Sequence, residues 1–233
     1  MTRDLLIVAH GQPSDPGPAE ADLARVAAAV AGYLPGWRVG SATLAAPEAL
    51  GLALGRMAAP LVFPFFMADG WFTQVALPAR LAAAGARDLT ILPVFGQMAL
   101  VRALTVAAAR AAAVGRGWRP DETVLVLAAH GSGRSAGPAA AARAAQKAAA
   151  SGGFAEVRLG FIEEAPGVAE VAANAGARAL CMPLFVARWG HVVVDLPQAL
   201  TAAGFRGPCL APIGVRREVP GIIADAVRDA AKG

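Results

Sequence analysis

This chain is written twice, and that constrains its fold more than anything else in it. "LLIVAHG" (5–11) returns as "LVLAAHG" (125–131), 120 positions on. Pro47, Pro64, Leu77, Pro78, Gly85, Arg87 and Pro93 return as Pro166, Pro183, Leu196, Pro197, Gly204, Arg206 and Pro212, 119 positions on. One deletion reconciles the two spacings, and the stretch "VGRGWRPDET" (114–123) supplies a glycine- and proline-rich junction. A repeat of this length is well above a solenoid unit. The reading is two similar domains, 1–115 and 120–233.

Within each copy, short β-rich runs alternate with alanine-rich stretches long enough for helices. The strand candidates are "DLLIVAH", "WRVGSATL", "APLVFPFF" and "DLTILPVF", then "TVLVLAAH", "AEVRLGFI", "RALCMPLF" and "GPCLAPIG". Continuous apolar runs of this kind suit strands buried on both faces. The alternation predicts an α/β fold in which each domain is a parallel sheet with helices on both faces. At 56% hydrophobic residues the chain has enough apolar surface for a large core.

Charge narrows the partners. The net +4 is carried mostly by scattered arginines, with no basic run of the kind that tracks a nucleic-acid backbone. Arginines gathered in a pocket suit a small ligand bearing carboxylates, because the guanidinium fork matches a carboxylate. No segment offers the roughly 18 uninterrupted apolar residues of a membrane span, and Asp4 breaks the short apolar start "MTRDLLIVAHG". A cytoplasmic protein is expected. Cys181 and Cys209 match no CxxC pattern and read as two reduced, buried thiols.

Ligands of open parallel sheets bind beyond the carboxyl ends of the strands. His10 and His130 end the first strand of their halves, Glu163 lies just past a second strand, and His191 lies just past a third. Two histidines and a carboxylate at one rim are what a metal or proton-transfer site requires. The first-half counterparts are His10, Leu44 and Phe72, so the first half keeps one member of the triad. Glu164 stands opposite Ala45, and the repeat does not choose between Glu163 and Glu164. Trp71, Phe72 and Trp189 read as packing residues. "GRSAG" (133–137) matches the nucleophile-elbow pattern, which admits a hydrolase built on Ser135, Glu163 and His191. However, Ser135 lies five residues beyond His130, too far from the strand for an elbow turn.

"LLIVAHG", "VLVLAAHGSGRS", "GFIEEAP" and "PLFVARWGHVVVDLP" resemble the sirohydrochlorin cobaltochelatase and ferrochelatase group of class II chelatases. The resemblance covers nearly the whole chain. It implies insertion of a divalent metal, Co2+ or Fe2+ with Ni2+ as a further candidate, into sirohydrochlorin on the way to cobalamin or sirohaem. The metal would be a substrate, with no permanently bound cofactor. The alternative is a chelatase-like protein that binds metal or tetrapyrrole without turnover. The family's two histidines and glutamate fall on His130, Glu163 and His191, with both histidines as metal ligands. Arg134 and Arg188 are candidates to hold the tetrapyrrole's carboxylates, as are Arg216 and Arg217. Phe72 and His10 are candidates to line its pocket in a cleft between the domains. Trp189 stands where the family carries a glycine two residues before the second histidine.

Overall fold

A computed structural model of the chain describes residues 3–46, 48–86, 89–133 and 135–232. In chain order the elements of the first half are β1 (Arg3–Ala9), α1 (Pro16–Ala31), β2 (Trp37–Thr43), α2 (Ala49–Leu54), β3 (Leu61–Pro64), α3 (Leu77–Ala83) and α4 (Ala99–Val114). The second half contributes β4 (Val124–Ala129), α5 (Gly137–Ala150), β5 (Glu156–Phe161), α6 (Val168–Ala172) and β6 (Ala179–Pro183). It continues with α7 (Gly190–Val193), α8 (Asp195–Ala202) and α9 (Val219–Ala230). The strands form two three-stranded parallel sheets, ordered β2-β1-β3 and β5-β4-β6. The α/β reading therefore holds in both halves.

The duplication extends to the cores. On one face of the first sheet Leu6, Val8, Val62, Leu77 and Leu81 are buried together; in the second sheet Val126, Ala128, Cys181, Leu196 and Leu200 take those places. Because side chains alternate across a strand, Leu5 and Ile7, like Leu125 and Leu127, point to the opposite face, and all four are fully buried. Helices therefore cover both sides.

The compact units do not follow the repeats of 1–115 and 120–233. One consists of residues 1–95 with 217–233, the other of 96–216. Helix α4 closes the first repeat but is counted in the second unit, where it packs on α5 and β6. Its counterpart α9 closes the second repeat and packs on α1 and β3 of the first unit. Each sheet thus receives one covering helix from the other repeat.

The fourth strand candidate of each half is reduced to a single bridge, Val62 with Ile91 and Cys181 with Cys209. Pro93 and the pair Pro208 and Pro212 explain the brevity, since proline has no N–H to continue a ladder. Cys181 is buried as expected, but Cys209 is exposed on this short outer segment. The two thiols are free and adjacent in space. A hydrogen bond from Cys181 holds the Cys209 pKa down, aided by the charge of Arg188, and the same bond pushes the Cys181 thiol up.

Two glycines bring the site's supports close together. Gly131 directly follows the first site histidine with φ +75; a Cβ there would lie 2.8 Å from the Glu164 side chain and 3.0 Å from Phe161. At Gly160 a Cβ would lie 2.8 Å from the Val168 backbone, so α6 seats directly on β5.

The halves also differ at the foot of their first strands. Asp4 is 4% exposed and accepts hydrogen bonds from the Arg38 guanidinium at 2.8 Å and from the Ala58 N–H at 2.8 Å. The second half has Val124 in that place, paired with Glu156 as Asp4 is with Arg38. Burial alone would raise the Asp4 pKa, but the Ala58 N–H and Arg38 outweigh it and hold the carboxyl below its ordinary value. A depressed carboxyl contributes stability above its unfolded pKa and loses it as pH falls through the folded one. Asp4→Ala should therefore cost about 1–3 kcal/mol near neutral pH, because the Ala58 N–H and Arg38 lose a charged acceptor. Urea unfolding at a series of pH values should show the gap from wild type narrowing below about pH 4; a gap independent of pH would contradict this assignment.

Candidate metal centre

Each member of the triad is delivered by the carboxyl end of a strand. His130 follows β4 immediately. The β4–β5 ladder runs two residues beyond β5, with Ile162 N–H donating to the Ala129 carbonyl and Glu163 N–H to the His130 carbonyl at 3.0 Å. That extension fixes Glu163 beside His130. His191 comes after the seven residues 184–190 that follow β6, in the first turn of α7.

The three side chains meet. His130, Glu163 and His191 each offer a ligand atom within 4.8 Å of the others. His130 Nε2 lies 3.1 Å from His191 Nε2 and 3.8 Å from Glu163 Oε1. All are partly open to solvent, with side chains 40–50% exposed.

The far nitrogen of each ring determines what the near one can do. His130 Nδ1 lies 2.8 Å from the Gly131 carbonyl oxygen, and His191 Nδ1 lies 2.7 Å from Asp195 Oδ2. A carbonyl or carboxylate oxygen can only accept, so both Nδ1 atoms carry the proton. In the neutral rings both Nε2 atoms then hold a bare lone pair, and the two lone pairs face each other. Such a pair is stable only with a cation beside it, either a proton shared between the nitrogens or a metal ion bound to both. With a metal–nitrogen bond of about 2.1 Å, nitrogens 3.1 Å apart subtend roughly 95° at the ion, the angle between neighbouring ligands of an octahedron. Two imidazoles and a carboxylate suit a divalent first-row metal, and three protein ligands leave positions open for an incoming substrate.

The first repeat keeps the scaffold without the chemistry. His10 Nδ1 lies 2.9 Å from the Gly11 carbonyl, as His130 does with Gly131. Phe72 stands edge-on to His10 with ring centroids 4.1 Å apart; His191 stands edge-on to His130 at 4.5 Å. The counterpart of Glu163 is Ala45 and not Leu44, because Ala45 N–H donates to the His10 carbonyl as Glu163 N–H does to His130. Strand β2 is offset from β5 by 118 residues, so the sequence spacing of 119 placed this register one residue off. Leu44 is a core residue.

Other expectations change. Glu164 is neither a triad member nor simply solvated: its carboxylate accepts the Ser132 N–H at 2.9 Å and anchors the turn after His130. Trp71 and Phe72 are not packed inside; they are 61% and 39% exposed, and their rings rest on each other and on His10. Trp189 is half-buried. Arg188 is exposed, near Cys209, and Arg217 pairs with Glu218. Arg134 lies outside the described residues. The hydrolase arrangement of Ser135, Glu163 and His191 fails, since the carboxylate on His191 Nδ1 is Asp195 and not Glu163, and His191 Nε2 faces His130 Nε2 at 3.1 Å. Asp195 is the site residue that sequence reasoning missed. Its signal was the His-x-x-x-Asp spacing, which places two side chains on one helical face.

The CbiX family model matches residues 124–230. CbiX, the terminal enzyme of sirohaem biosynthesis in denitrifying bacteria, is 46% identical with a TM-score of 0.92, over 98% of this chain and 99% of that one. This chain belongs to the CbiX family of class II chelatases. Two structures share its fold at lower identity. SirB from Bacillus subtilis with Fe3+ has a TM-score of 0.79 and 15% identity, over 99% of this chain and 96% of that one. The sirohydrochlorin chelatase SirB from Bacillus subtilis subspecies spizizenii, in complex with cobalt, has a TM-score of 0.70 and 16% identity, over 100% and 96%. A search of curated proteins found no match. Among the described residues no helix is long and apolar enough to cross a membrane.

The two neighbouring glutamates should separate in a stability measurement. Glu164→Ala removes the acceptor of the Ser132 N–H and should cost about 1–2 kcal/mol in urea unfolding. Glu163→Ala should stay within about 0.5 kcal/mol of wild type. The reverse order would mean that Glu163 is the structural carboxylate.

Proposed function

We infer that this chain inserts a divalent metal ion into sirohydrochlorin, with His130, Glu163 and His191 as the working residues. The observation that carries the reading is the pair of lone-pair-bearing Nε2 atoms 3.1 Å apart with a carboxylate beside them. The ion is cargo, so a centre of few protein ligands, open to solvent, suits its task better than a closed cage. The chain's membership of the CbiX family supports sirohydrochlorin as the acceptor.

The geometry suggests how the exchange runs. The two imidazoles and Glu163 hold the incoming ion. As the ring nitrogens of the macrocycle replace them, the ion leaves and the pyrrole N–H protons must go elsewhere. The vacated Nε2 pair is then a proton acceptor of the right geometry, because one proton between the nitrogens relieves the repulsion that the departing metal exposes. Two N–H protons leave the ring for each divalent ion that enters, so Glu163, half in solvent and 3.8 Å from His130, carries the first to solvent and frees the pair to accept the second. Arg188 and Arg134 pair with the carboxylates of the tetrapyrrole. Co2+ and Fe2+ are the favoured ions, with Ni2+ within reach of the same donor set.

Anaerobic incubation of sirohydrochlorin with Co2+, Fe2+ or Ni2+, followed by absorbance, tests this. Wild type should turn over many equivalents. His130→Ala and His191→Ala should lose most of the rate, by about 100-fold or more, while His10→Ala costs much less. Glu163→Gln should lower the turnover rate and leave tetrapyrrole binding intact. Binding without turnover in wild type would favour a carrier or sensor, and equal damage from His10→Ala would move the chemistry to the first repeat.

A further inference from the structure

We propose that Asp195 is the positioning residue of this centre: through His191 Nδ1 it fixes the tautomer and the aim of the ring, and so makes His191 a metal ligand. The proposal rests on the metal-insertion reading above. Asp195 does not belong to the ligand cluster of His130, Glu163 and His191. It touches the site through His191, by the 2.7 Å contact of its Oδ2 with Nδ1. A contact this short between a ring N–H and a carboxylate is charge-assisted, and a carboxylate behind a ligating imidazole strengthens the ligand while holding its orientation.

The local chain path explains why His191 needs such a partner. His130 directly follows a strand and takes the carbonyl of the very next residue. His191 sits in α7, a helix of four residues, and its ring is held by a side chain from the first turn of α8. The bond spans Val194, the residue between α7 and α8, whose ψ of −69 departs from regular helix. It therefore ties the two short helices together at the point where the ring must be aimed.

The first repeat supplies the independent observation. The position of His191 holds Phe72, and the position of Asp195 holds Ala76, which is buried. The ring pairing is otherwise kept to within a few tenths of an ångström. Where there is no Nδ1 to hold, there is no carboxylate, and the break between two short helices is missing as well: residues 72–76 form a π-helix that runs directly into α3.

Co2+ affinity of the full chain without tetrapyrrole, measured by titration, gives the test. Asp195→Ala should weaken Co2+ binding by about 10–100-fold. Asp195→Asn, whose amide oxygen can still accept from Nδ1, should recover part of that loss. His191→Ala with Asp195→Ala should bind Co2+ no more weakly than His191→Ala alone, because Asp195 acts only through the imidazole. Additive losses in the double variant would overturn the proposal, as would an Asn variant no better than Ala. Wild type and His191→Ala binding Co2+ equally well would instead refute the metal-site reading on which the proposal stands.

Discussion

Two hydrogen bonds, each made on the side of an imidazole turned away from the site, determine what this protein can do. The Gly131 carbonyl accepts a hydrogen bond from Nδ1–H of His130, and the Asp195 carboxylate accepts one from Nδ1–H of His191. With both protons committed outward, the inner nitrogens meet as two lone pairs 3.1 Å apart. That arrangement is unfavourable by itself and favourable around a positive charge, and we propose that a metal ion and a proton replace one another there. Everything else serves to bring these rings together. Parallel strands end at a common rim, left-handed Gly131 lets the chain turn immediately after His130, and Glu164 pins that turn through the Ser132 N–H.

The duplication acts as a control experiment within one molecule. Both repeats build the same strand order, bury matching residues and hold a histidine against the carbonyl of the following glycine. Only the second continues with a second imidazole, a carboxylate at its side and an aspartate behind it. In the first these are Phe72, Ala45 and Ala76, and the result is an exposed aromatic surface with Trp71. The fold tolerates either set, so folding does not require the polar one. The first repeat's ring surface suits a flat apolar partner and lacks the donors that would bind an ion.

Much of this was legible in the sequence because apolar strands and repeated prolines carry their own register. The triad was found because its members stand at strand ends, where topology leaves little freedom. What escaped depended on long-range geometry. The fourth strands looked as apolar as the others, yet prolines limited each to one bridge. The partner of Glu163 was misplaced by one residue because a strand offset differs from the proline offset around it. Asp195 was hidden among "VVVDLP", where an i,i+4 pair shows only once the helix is known. The placement of α4 and α9 could not be read from a repeat pattern, which orders elements along the chain but not between sheets.

The central claim is that both inner nitrogens bind one ion, and X-ray absorption at the cobalt edge addresses it most directly. With one equivalent of Co2+ loaded anaerobically, the spectrum should show two imidazole nitrogens at about 2.1 Å, one of them lost in His191→Ala. A cobalt environment of oxygen alone, or one unchanged by His191→Ala, would contradict the account.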